Sequence, residues 1–199
     1  MNFRQGRHHV KIEDKMLSIF KKSTISNPKL KPIPGSASGD NTRNIGGFIQ
    51  KLKETGAKDP KEYCQLLLSR MARELEIIQG AYYQYDERAN PSVLRFLSGY
   101  ACNADYTRNM TFEIGEGLPG QVIKDKKTRK LENVPEGYII VKTGLGEASP
   151  TSLMLIPVLR GNRIIGLLEL ASFHNFSEDD IRFAERIAGH LAEKFNREK

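Results

Sequence analysis

Cysteine is scarce in this chain, and its placement excludes two classes at once. Cys64 and Cys102 are the only two, far apart and without a C-x-x-C pair. Neither a disulfide framework nor a cysteine metal cluster is supported, and both are read as buried thiols. The four histidines, His8, His9, His174 and His190, have no metal-ligand spacing to a cysteine or carboxylate. Long apolar runs are missing too. Nothing approaches the roughly 20 residues that span a bilayer, and the start has no apolar signal core, so no membrane insertion and a cytoplasmic location are expected. G-x-S-x-G, H-E-x-x-H and the P-loop are also absent, so no catalytic constellation emerges.

Negative charge is short at one end. Residues 1–39 hold eight Lys or Arg against Glu13 and Asp14, so +6 of the net +7 sits there and the remainder is almost neutral. Ile12, Met16, Ile19 and Phe20 recur at helical spacing among Lys11, Lys15, Lys21 and Lys22. A basic helix for nucleic acid, a membrane surface or a partner is one reading; a solvated tail is the other, and charge runs usually solvate a face. No aromatic residues interleave with the basic ones as a single-strand platform requires, so nucleic acid is not expected. Pro28, Pro32 and Pro34 with Gly35 and Gly39 mark a linker. Residues 1–39 are therefore tail and linker, and 40–199 form one domain, long enough to bury a core.

What is there is a succession of helix and strand signals. Asp40 can cap a helix over about 41–55 with Ile45, Phe48, Ile49 and Leu52 on one face. Asp59, Pro60 and Glu62 open a second with a capping-box arrangement, and its apolar stripe is Tyr63, Leu67, Met71, Leu75 and Ile78. An antiparallel hairpin is expected from strands over 80–86 and 93–102, joined through Asn90 and Pro91. An edge-like strand over 128–134 precedes a segment, 135–150, that reads mostly as loop. The strongest strands cover 152–159 and 163–173, with Arg160, Gly161 and Asn162 between them. Ser177 caps a last helix whose apolar face is Ile181, Ala184, Ile187, Ala188, Leu191 and Phe195.

Between the hairpin and the edge strand lies TFEIGEGLPGQVIKD, residues 111–125. Gly115, Gly117 and Gly120 match G-x-G-x-x-G, the dinucleotide pattern. That pattern needs a helix long enough to cross a parallel sheet and an acid about 20 residues on. Here Asp125, Lys126 and Lys127 end the helix after about two turns, and Glu132 comes too early. The three glycines are instead a structural turn, with Gly115 and Gly117 at positive φ and Pro119 in the first helical turn.

Several further marks occur in order: the GEGL-x-GQ turn, Asn133-Val134-Pro135, GLGEASP from Gly144 to Pro150, Ile156-Pro157, and GLLELASF from Gly166 to Phe173. With these the chain resembles the GAF domain, a sensory ligand-binding module of signalling proteins, of the type found in bacterial sensor histidine kinases and chemotaxis-like signalling proteins. The resemblance covers about residues 40–197. It implies an α+β fold, GAF-like (profilin-like, PAS-related), with a central antiparallel sheet of five to six strands. Terminal helices would pack on one face, and a short helix and long loops would cover a cavity on the other. It further implies a homodimer through the terminal helices, a small-molecule ligand of unknown identity, and a histidine kinase or other signalling partner. If complete, the chain would be a stand-alone sensor or adaptor.

Candidate ligand-binding residues are Tyr100, Tyr138, Thr143, Ser152 and Glu169. Glu169 stands inside an apolar strand, where a carboxylate must be paired, hydrogen-bonded or facing a wet cavity. It is either a polar anchor on a pocket floor or part of an internal salt bridge or of bonds to loop amides near Gly144. Other GAF-like proteins resemble free methionine sulfoxide reductases, whose chemistry uses clustered cysteines; Cys64 and Cys102 are not clustered in sequence. A pure interaction module with a degenerate pocket is the third reading. The family's N-K-x-x-F-D-E element is missing and no cysteine falls at a bilin attachment position, so cyclic nucleotide and tetrapyrrole ligands are not expected, and the cofactor is unknown.

Overall fold

Three of the described helices start at a side chain that takes up a free backbone N–H group. In α1 (Ile45–Lys53) the cap is Asn44, whose Oδ1 accepts from the Gly47 N–H at 2.8 Å. The helix is therefore shorter than the 41–55 expected, and Asp40 lies outside the described residues: Asn44 directly precedes the first buried apolar position, Ile45. In α2 (Pro60–Glu74) Asp59 Oδ1 accepts from Glu62 N–H at 2.9 Å. Glu76, at φ 49°, breaks the chain direction after Leu75, so Ile78 belongs to the strand approach and Ile77 takes the core position instead. The full reciprocal capping box occurs at α4 (Glu178–Lys194). Asp180 N–H donates to Ser177 Oγ at 3.2 Å, and Ser177 N–H donates back to Asp180 Oδ2 at 2.7 Å. Arg43 adds an ion pair to Asp180 Oδ1 at 2.6 Å, fixing the start of α1 to the start of α4.

The structure is a computed structural model that describes residues 43–102, 107, 109–134, 138–139, 141–143 and 146–195. The basic tail and linker, including the amphipathic stretch at 12–20, lie outside them. The strands are β1 (Gln79–Asp86), β2 (Val93–Tyr100), β3 (Thr111–Glu113), β4 (Arg129–Glu132), β5 (Val141–Thr143), β6 (Gly146–Ala148), β7 (Ser152–Arg160) and β8 (Arg163–Ser172). Six form one antiparallel sheet in the order β3-β2-β1-β8-β7-β4, with β7 and β8 buried near its centre. The segment 135–150 is more than loop, because β5 and β6 pair with each other as a separate two-stranded ladder. No helix of the described residues is long and apolar enough to cross a membrane.

Strand pleat divides the core in two. On one face Met154, Ile156, Val158, Leu168 and Leu170 join Leu67 and Met71 of α2 and Ile187 and Leu191 of α4 in a continuous apolar cluster. Its border is tied by Tyr63 and His190, whose Oη and Nε2 lie 2.6 Å apart between α2 and α4. Burial, with Lys53 and Lys194 nearby, holds the His190 imidazole below its usual pKa of 6.5, and burial pushes Tyr63 up to about 12.

On the other face, Leu153, Leu155 and Leu167 are buried, as are Leu118, Val122 and Ile123 of α3 (Gly117–Asp125), which packs on β7 and β8. The turn leading into α3 explains its glycines. Gly115 and Gly117 have φ +87° and +56°, and a Cβ on Gly120 would stand 2.1 Å from the Glu113 carbonyl oxygen. The three glycines thus fold β3 back on α3, and no phosphate site is needed to account for them.

Two outcomes follow. Gly120→Ala destabilises by about 1–3 kcal/mol in urea unfolding, because backbone must move to admit the methyl. The His190 contribution is present in full above its unfolded pKa, near 6.5, and is lost as pH falls through the lowered folded value. Thermal melts from pH 7.5 to 5 therefore show His190→Asn gaining stability relative to the unsubstituted protein as pH falls.

Candidate functional site

The pleat that directs Leu168 and Leu170 toward the helices directs Glu169 the opposite way. Glu169 is 8% exposed, and Tyr83 of the neighbouring β1 donates its hydroxyl to Oε2 at 2.9 Å. Tyr138, from the segment that carries β5 and β6, supplies a second hydroxyl bond to the same carboxyl. Burial raises the Glu169 pKa above its ordinary 4.5, and the two phenols only partly oppose that rise. Burial also pushes the Tyr83 hydroxyl well up, and the Glu169 charge adds to it. Among the described residues no cation pairs with Glu169. Of the two readings for this residue, an internal hydrogen bond is present with phenols as donors, while Gly144 lies outside the described residues.

Aromatic rings surround the carboxyl's main partner. Tyr83 meets Phe96 at 6.0 Å and Phe112 at 5.5 Å between centroids, both edge-on, and Met110 Sδ lies 3.5 Å from its hydroxyl. Farther along the same face of β1, Gln79 bonds Cys102 through its side chain, while its Oε1 is buried without a partner among the described residues. Cys102 is half-buried and its thiol is pushed up by burial, with Glu169 adding to the rise. Cys64 is fully buried on α2 among the helix-side core, where burial raises it much further. The two thiols thus stand on opposite sides of the sheet, and neither is in the electropositive, exposed setting that makes a thiolate. Among the described residues no cluster of His, Cys, Asp or Glu could hold a metal ion.

The expected site residues divide. Glu169 and Tyr138 come together. Thr143 lies in β5, and its side chain is outside the described residues. Tyr100 packs against the helix-side core instead, and a bulge is the cause: Tyr83 pairs Phe96 but Tyr82 pairs Ser98, so the extra residue Leu97 reverses the alternation beyond it. Ser152 shares the parity of Met154 and Ile156. It is fully buried, donating to the His174 carbonyl at 2.6 Å. Tyr83, Gln79 and Phe96 were missed as site residues. The alternation of GAYYQYD already set Tyr83 on one face, but only the pairing of β1 with β8 shows that this face holds Glu169.

A family model described as GAF domain matches residues 57–195. No curated protein matches the chain. Among solved structures, the GAF domain of a phosphoenolpyruvate-protein phosphotransferase from Coxiella burnetii is similar at TM-score 0.65 and 19% identity, over 78% of this chain and 95% of that one. Free methionine-R-sulfoxide reductase from Neisseria meningitidis is similar at TM-score 0.57 and 19% identity, over 84% and 96%. A domain of a putative two-component sensor histidine kinase from Sinorhizobium meliloti 1021 is similar at TM-score 0.52 and 18% identity, over 71% and 93%. At these identities the likeness is one of fold.

Glu169 sets a stability test with a definite sign. Its folded pKa is raised, so its protonated form adds stability below the unfolded value, near 4.5, that is lost as pH rises through the folded one. Glu169→Gln keeps the shape without the charge. Its unfolding free energy therefore exceeds that of the unsubstituted protein at pH 8, and the gap closes toward pH 4; a gap independent of pH would show that Glu169 is not a strained carboxylate.

Proposed function

Because the chain belongs to the GAF domain family, we propose that it is a regulatory module of signal transduction that binds a small molecule and has no catalytic activity of its own. The guest lies on the sheet face that carries Glu169, beneath the segment 135–150. The observation that carries this reading is the buried carboxyl reached by Tyr138 from that segment. A charge placed there lowers the stability of the empty protein, and a binding role gives it a reason to be kept.

Signal output follows from the strand that holds the carboxyl. Leu168 and Leu170 flank Glu169 and pack in the core with α2 and α4. A guest that favours one arrangement of β8 changes how those helices sit, provided it binds one arrangement more tightly than the other. A homodimer formed through α1 and α4 transmits the change to a histidine kinase or another signalling partner. The apolar stripe of α4 is already buried on the sheet, so this dimer uses the outward row of Arg182, Glu185, Arg186, Gly189 and Glu193. A sulfoxide reductase is the less supported reading, since the two thiols are separated by the sheet and both are held in the protonated form.

A thermal-shift screen of small metabolites tests the binding role, with light scattering for the dimer. A guest at 100 times its Kd adds about 2.7 kcal/mol, a melting rise of roughly 5–10 °C for a domain of this size. Cys102→Ser retains that rise, whereas loss of a measurable sulfoxide reduction in this variant would favour the enzyme. No stabilisation by any compound would contradict the module.

A further inference from the structure

The polar groups on the Glu169 face are unbalanced in one direction. Glu169 is an acceptor when ionised, and two phenol protons are directed at it. Gln79 Oε1 is a second buried acceptor, without a donor among the described residues. The two belong to one face: Gln79 lies opposite Ala171 and Ala81 opposite Glu169 in the β1–β8 ladder, so one pleat repeat separates them. Ala81, which follows Gln79 on that face of β1, offers the carboxyl only a methyl. The Tyr83 ring, whose hydroxyl bonds Glu169, packs edge-on with Phe96 and Phe112, and aromatic rings attract cations.

We propose that the guest carries a protonated primary amine, held by the Glu169 carboxylate and the Gln79 side-chain carbonyl and bordered by the aromatic group of Tyr83, Phe96 and Phe112. The proposal rests on the small-molecule reading above and names the chemistry of its guest. An ammonium group brings three donors and a positive charge, which answers both deficits at once. A carboxylate or phosphate would set a second negative charge against Glu169 in a poorly solvated place. A guest with acceptors only would leave Gln79 Oε1 unsatisfied. Binding removes the strain of the buried charge, so an amine binds more weakly as Glu169 is protonated at low pH.

The test uses the full chain at pH 8, with melting temperature and calorimetric Kd as readouts. The panel consists of the free L-amino acids and straight-chain alkylamines, the N-acetyl derivative of each, 2-oxo acids and nucleotides. At least one free amine raises the melting temperature, and acetylating it weakens binding at least 100-fold. Glu169→Gln weakens that amine at least tenfold while melting cooperatively, and Gln79→Met, which keeps the side-chain length, weakens it several-fold. Stabilisation by a 2-oxo acid or nucleotide alone, or an N-acetyl form binding as well as its amine, would overturn the ammonium and leave the binding module standing. An unchanged Kd in Glu169→Gln would do the same. Silence across the whole panel would overturn both.

Discussion

A carboxylate kept from water on a central strand is the constraint around which this molecule is arranged. Removing such a group from solvent costs several kcal/mol unless charge or hydrogen bonds answer it. Here the answer is two phenols, Tyr83 from the sheet and Tyr138 from the segment that carries β5 and β6, and they leave the Glu169 pKa raised. The segment that carries Tyr138 is therefore bonded to the buried carboxyl. Displacing it changes the solvation of Glu169, and changing the charge of Glu169 alters the hold on Tyr138.

Period-two geometry carries that constraint through the sheet. Glu169 and its neighbours Leu168 and Leu170 share one stretch of backbone but look to opposite sides, so the Glu169 face and the helix face are joined at β8. Helix side rigidity comes from close packing, from the Tyr63–His190 contact and from the capping box at Ser177 and Asp180, to which Arg43 is joined. A GAF domain built this way has one face that carries the buried carboxyl and one face packed against the helices.

Much of the architecture was legible because its signals are local. Ser177 and Asp59 announce caps, and the glycines of GEGLPGQ announce a tight turn, since each depends on residues within about four positions. Even the buried strands 152–159 and 163–173 are readable from their apolar runs. Missed features depend on partners distant in sequence. Tyr100 was expected on the ligand face, and a single bulge at Leu97 turned it to the helices; alternation predicts a face only while the ladder is regular. Ser152 failed on parity, which requires knowing the register of β7 against β8. Short β5 and β6 have three residues each, too few for a period to show. Gln79 and Tyr83 became site residues only when β1 was placed beside β8.

The central claim is that occupancy of the Glu169 face reaches the terminal helices through β8. Amide hydrogen exchange of the full chain, with and without a saturating compound that raises its melting temperature, measures this most directly. The account predicts changed protection both in the segment 135–150 and in α2 and α4 on the far side of the sheet. Changes confined to the ligand face, with α2 and α4 exchanging as before, would contradict it.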